Sequence, residues 1–152
     1  MNVSGRYAYV AVGTALVIVD VSNPSSPFVA GSLTGAATAV AAVGTRVYTI
    51  VGSQLQILDA SNPAAPVLLG TTSSRNAQYI AAAGTQVYLA SPSGSHYDPN
   101  AGVHILDASV PTNVVAVTQI IVPGTVRGLT VNTGFLHASD SAALLDVIDL
   151  AP

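Results

Sequence analysis

The chain has 152 residues, half of them apolar, the size of one domain with a sizeable core. Only 7% are charged, against about 25% in ordinary soluble domains. Four Arg and seven Asp leave a net charge of −3 with no basic run, so the chain cannot supply the several phosphate contacts that nucleic-acid binding rests on.

The absence of Cys excludes disulfides and thiol chemistry, and the absence of Lys and Glu removes most acid, base and Schiff-base options. No apolar run reaches the roughly 18 to 20 residues of a membrane helix. Met1 to Gly5 has neither a basic nor an apolar leader region, so no signal peptide is expected in this chain.

In chain order, Tyr7 to Ala11 has the β-branched and aromatic content of a strand, and Leu16-Val17-Ile18-Val19-Asp20 follows as another. An Asn23-Pro24 turn then leads into a strand beginning Pro27-Phe28-Val29-Ala30. The same order recurs: Ala37 to Val43, Arg46 to Ile50, Leu55 to Asp59, the turn Asn62-Pro63, and a strand from Pro66. It recurs again as Ala77 to Ala83, Gln86 to Ala90, Val103 to Asp107 and Val110-Pro111, and once more as Val126 to Val131, Gly134 to His137 and Leu145 to Asp149.

The third strand of every unit ends in Asp, at Asp20, Asp59, Asp107 and Asp149, spaced 39, 48 and 42 residues apart. That spacing fits the roughly 40 to 45 residues of a four-stranded propeller blade. Ala-rich Ala37 to Val43 scores as helix on propensity alone. Its slot matches Val126 to Val131, and small side chains suit strands crowded near a propeller axis, so it is read as a strand. The expected fold is all-β and β-propeller-like, with about four blades of four-stranded antiparallel sheet, the first and last incomplete. The units fall at approximately 1–35, 36–74, 75–123 and 124–152 of one repeat domain.

The five-letter third strand, with Asn-Pro-x-x-Pro after it in units one and two, resembles the LVIVD-repeat family. The resemblance implies a β-propeller module of a bacterial or archaeal surface protein, hence an extracellular or cell-surface location. Units three and four depart from the family where Asn-Pro becomes Val110-Pro111 and Leu150-Ala151-Pro152. Fourteen strands are counted where four blades need sixteen, with Met1 to Gly5 as the tail of an inner strand. The chain is therefore expected to be a fragment of a longer propeller, with blade edges open to self-association or to a protein partner.

Four Asp at one register argue for one structural job per unit: accepting backbone N–H groups from the turn that follows. Tyr9, Tyr48 and Tyr88 likewise recur as packing residues. His104 stands where other units have Val17, Gln56 and Asp146, so it is read as a strand residue.

The irregular connections carry what is left for a site. The second-strand aromatic lies 11 residues before the Asp in units one and two and 19 before it in unit three, so residues 91–102 hold a polar insertion. With the 137–143 segment it outlines a candidate ligand face of Arg75, His96, Tyr97, Asp98, Asn100, Arg127, His137 and Asp140. Those His, Asp and Asn side chains are of the mixed N/O type that binds metals, but no calcium-loop spacing is present. Ser, His and Asp also occur together there, without a Gly-x-Ser-x-Gly elbow. The expectation is a non-catalytic interaction or scaffold module without a cofactor; the alternatives are a ligand- or metal-binding propeller and, behind it, a propeller hydrolase.

Overall fold

A computed structural model describes the chain except residues 93–100, 123, 133, 143–144 and 151–152. Among the described residues there is no helix. Unit one contributes β1 (Asn2–Ser4), β2 (Tyr7–Ala11), β3 (Ala15–Asp20) and β4 (Phe28–Thr34). Unit two contributes β5 (Ala37–Val43), β6 (Arg46–Val51), β7 (Gln54–Asp59) and β8 (Val67–Ser73). Then follow β9 (Tyr79–Ala83), β10 (Gln86–Ser91), β11 (Gly102–Asp107) and β12 (Val115–Ile120), and finally β13 (Val126–Asn132), β14 (Phe135–Asp140) and β15 (Asp146–Asp149).

Each group is one antiparallel meander, β1-β2-β3-β4, β5-β6-β7-β8, β9-β10-β11-β12 and β13-β14-β15. These are four β-propeller blades. The described strands number fifteen rather than fourteen, because the tail at Met1 to Gly5 pairs in its own right: Asn2, Val3 and Ser4 face Tyr9, Ala8 and Tyr7. The Ala-rich segment is a strand along all of Ala37–Val43.

Irregularities repeat as faithfully as strands do. The third and outer strands shift register at one place in each complete blade, between Ile18 and Val19, Ile57 and Leu58, and Ile105 and Leu106. Each shift leaves one extra residue in the outer strand, a β-bulge that sharpens its twist.

Chain contacts divide the molecule into two compact units, Met1–Ser73 and Ser74–Pro152, each a pair of blades. Both pairs are joined by the same register. In the first, Tyr9, Leu16 and Ile18 cluster with Val40, Val47, Leu58 and Ala60, and Ala42 packs alongside. In the second, Tyr88, Val103 and Ile105 cluster with Leu136, while Leu129, Val131, Ile148 and Leu150 pack alongside. Strand pairing shows that these are equivalent positions: Tyr9 faces Ile18 and Tyr88 faces Ile105, while Val47 faces Leu58 and Leu136 faces Ile148. Side chains alternate across a strand, so one face of a blade presents the Tyr-Leu-Ile row and the other the covering row.

A second contact joins the first two blades. A Cβ on Gly31, in β4, would lie 1.8 Å from the Pro63 carbonyl oxygen, so the Asn62-Pro63 turn rests directly on the β4 backbone. Gly31→Ala should therefore lower stability by roughly 1–3 kcal/mol through overpacking. The check is a urea or thermal unfolding curve, and an unchanged midpoint would mean that the turn does not sit on this strand.

Candidate functional site

The recurring Asp residues organise the turns at one end of each blade. Asp20, Asp59 and Asp107 each accept the backbone N–H of the residue two ahead, Ser22, Ser61 and Ser109, at 2.9, 2.8 and 2.8 Å. The residue between donates its own N–H across the sheet end to the turn before the second strand: Val21 to Arg6, Ala60 to Thr45, Ala108 to Thr85, and in the fourth blade Leu150 to Gly134. Each third-strand end is thereby tied to the turn beside it. The next turn closes in the same way in three blades, with Ser26, Ala65 and Asn113 donating to the carbonyls of Asn23, Asn62 and Val110. Val110 thus keeps the turn bond, while Asn23 and Asn62 add side-chain caps on Ser25 and Ala64.

Electrostatics follows from these bonds. Asp20 is nearly inaccessible; the Arg6 guanidinium, and then the Ser22 hydroxyl and amide, hold its carboxyl at about 2, below the ordinary 3.8. Backbone and hydroxyl donors of Ser61 and Ser109 lower Asp59 and Asp107. Asp149 is followed by Leu150-Ala151, so its blade has no Ser at the matching position.

The candidate ligand face is divided. His137 and Asp140 lie within β14 rather than in a loop. Asp140 is buried, and its carboxylate accepts the N–H groups of Gly124 at 3.0 Å and Ala142 at 2.8 Å, pinning the β12–β13 and β14–β15 connections. His137 is three residues away and so on the opposite face, where it lines a cavity of about 210 Å³ with Thr130, Ser139 and Leu145. Arg127 is exposed at a β-bulge in β13, between Val126 and Gly128. Arg75 is half-buried in the β8–β9 connection, where Arg75 and Asn76 adopt φ of 53° and 57°, the left-handed region that non-glycine residues rarely occupy. His96, Tyr97, Asp98 and Asn100 lie outside the described residues. His104 is buried in β11 opposite Gln119. No group of three or more metal-ligating side chains occurs among the described residues.

Two features escape a reading from sequence. Phe135 pairs with Asp149 as Arg46 pairs with Asp59, which puts His137 at the register of Tyr9, Tyr48 and Tyr88. The other is a carboxylate pair. Asp146 has its carboxyl raised by burial, then by the negative charge of Asp140 and a hydrogen bond to it. The signal was its place at the register of Val17, Gln56 and His104, where a charge is out of character.

Fold and turns together define a β-propeller assembled from sequence repeats whose conserved-in-place Asp is a structural device in three of its four units. The LVIVD repeat matches residues 1–35 and again 34–73, which are the first two blades. Comparison with curated proteins found no match.

The two kinds of carboxyl act oppositely on stability. Asp20, Asp59 and Asp107 bind protons more weakly when folded, so their contribution is complete above the ordinary carboxyl range and is lost as pH falls through their lowered values, which for Asp20 is about 2. Asp146 binds its proton more tightly when folded, so it favours the folded state at low pH and loses that contribution as pH rises through its raised value. Melting temperature should thus fall steeply on acidification, and Asp59→Ala should soften the fall. Asp146→Asn should raise the melting temperature at neutral pH and change it least in acid; a uniform effect across pH would contradict the pairing with Asp140.

Proposed function

We propose that the chain is a non-catalytic propeller repeat module that binds or holds other proteins, within a secreted or cell-surface protein. One observation carries this reading: the outer strands of the three complete blades repeat exposed apolar residues at one register. Phe28, Val67 and Val115, paired with Asp20, Asp59 and Asp107, are all more than half exposed. Val29 and Leu68 beside them are exposed too. Apolar side chains on an open sheet edge suit a protein partner. The low charge and the LVIVD resemblance favour a surface location.

The test uses photo-crosslinking residues at positions 28, 67 and 115 in the host cell, with protease treatment of intact cells. The reading expects a discrete crosslinked protein and cleavage of the module from outside. No adduct at any of the three positions, together with turnover of ester or glycoside substrates, would overturn it.

A second reading, a ligand-binding propeller, draws on the cavity beside His137. Calorimetric titration with zinc and calcium tests its metal form: heat lost in His137→Ala would support it, and no heat would remove it.

A further inference from the structure

Residues of the blade-joining register are exposed in the first and fourth blades. Two and four residues before the repeated Asp, the first three blades place Ile18 and Leu16, Ile57 and Leu55, and Ile105 and Val103, which are between 0 and 6% exposed. The fourth blade places Val147 and Leu145 there, at 57% and 55%. His137, at the Tyr register, shares this face and is only half-buried. The covering row is also uncovered in the first blade: Val3, which matches Ala42 and Val131 by its pairing with Ala8, is 56% exposed. Val19, partly exposed, continues that row across the small, buried Ala8, as Leu58 and Val47 do in the second blade.

We propose that these two surfaces bind each other between molecules: the Leu145-Val147 face of the fourth blade in one copy receives the Val3-Ala8-Val19 face of the first blade in a second copy. The inference rests on the interaction reading but uses a different surface from the outer strands. The argument is continuity with an interface the molecule already makes twice. Within each two-blade unit the Tyr-Leu-Ile row is sealed by a Val-, Leu- and Ala-rich row at fixed register, and exposed Leu145 and Val147 on one side and exposed Val3 on the other lie in those two rows at the same register. Both are free of formal charge at their centres, so no charge would be buried unpaired. The two surfaces differ, so the contact is heterologous and propagates head to tail until a ring closes.

Sedimentation velocity of the full chain over a rising concentration series tests this. The mean sedimentation coefficient should climb with concentration. Val147→Asp and Val3→Asp should each abolish the climb while melting as folded proteins. Mixed together they should give a 1:1 dimer and nothing larger, because each variant keeps one intact face. Val3→Asp probes the same contact from the other side if Val147→Asp does not fold. Phe28→Asp, on an outer strand, should leave association unchanged. A concentration-independent monomer, or association that survives both face variants, would overturn the proposal. Loss of association in Phe28→Asp alone would overturn it while leaving the outer-strand reading intact.

Discussion

A four-stranded blade cannot bury both of its faces by itself, and that constraint governs the rest of this structure. Hydrophobic stabilisation scales with apolar area removed from water, and a lone antiparallel meander leaves one apolar face wet whichever way it turns. The repeated solution is a Tyr-Leu-Ile row on one blade set against an aliphatic row on the next. This explains why burial deepens in the middle strands and declines outward: β6 and β10 are buried along most of their length, whereas β12 is almost wholly exposed. It also explains Gly31, where the neighbouring turn comes too close for any side chain.

Rigid packing alone would not fix where each strand ends, and here the polar residues enter. The Asp at the end of the third strand binds the turn ahead while its successor binds the turn behind, a pattern whose backbone half is kept in all four blades. Blade one strengthens it with Arg6, and blade three with a Thr85 hydroxyl on Asp107. A chain with so few charges thus uses several of them as local fasteners. Asp140 is a variation on this device, fixing Gly124 and Ala142 from within a second strand.

Much of the fold was legible because its signals are local and repeated. Leu16 to Asp20 and its three counterparts carry strand chemistry, a turn former and a period together, and Ala37–Val43 was placed by its slot in that period despite its helical propensity. The site was less legible because it depends on register. The fourth blade's connection differs in length, which hid the equivalence of His137 with the Tyr series until the pairing of Phe135 with Asp149 fixed it. Alternation then separated His137 from Asp140, two residues that sequence proximity had grouped. The Asp140–Asp146 pair spans the connection between two strands, and the charge at the register of Val17, Gln56 and His104 is its one trace in the sequence.

The central claim is that stability resides in the blade-to-blade rows and not in the outer strands. The most direct measurement compares Ile18→Ala with Phe28→Ala in reversible denaturant unfolding. Ile18 is fully buried in the first unit's cluster and Phe28 is exposed on β4. The account predicts a loss of about 2–5 kcal/mol for Ile18→Ala and a change within about 0.5 kcal/mol for Phe28→Ala. Equal losses, or a larger one at Phe28, would contradict it.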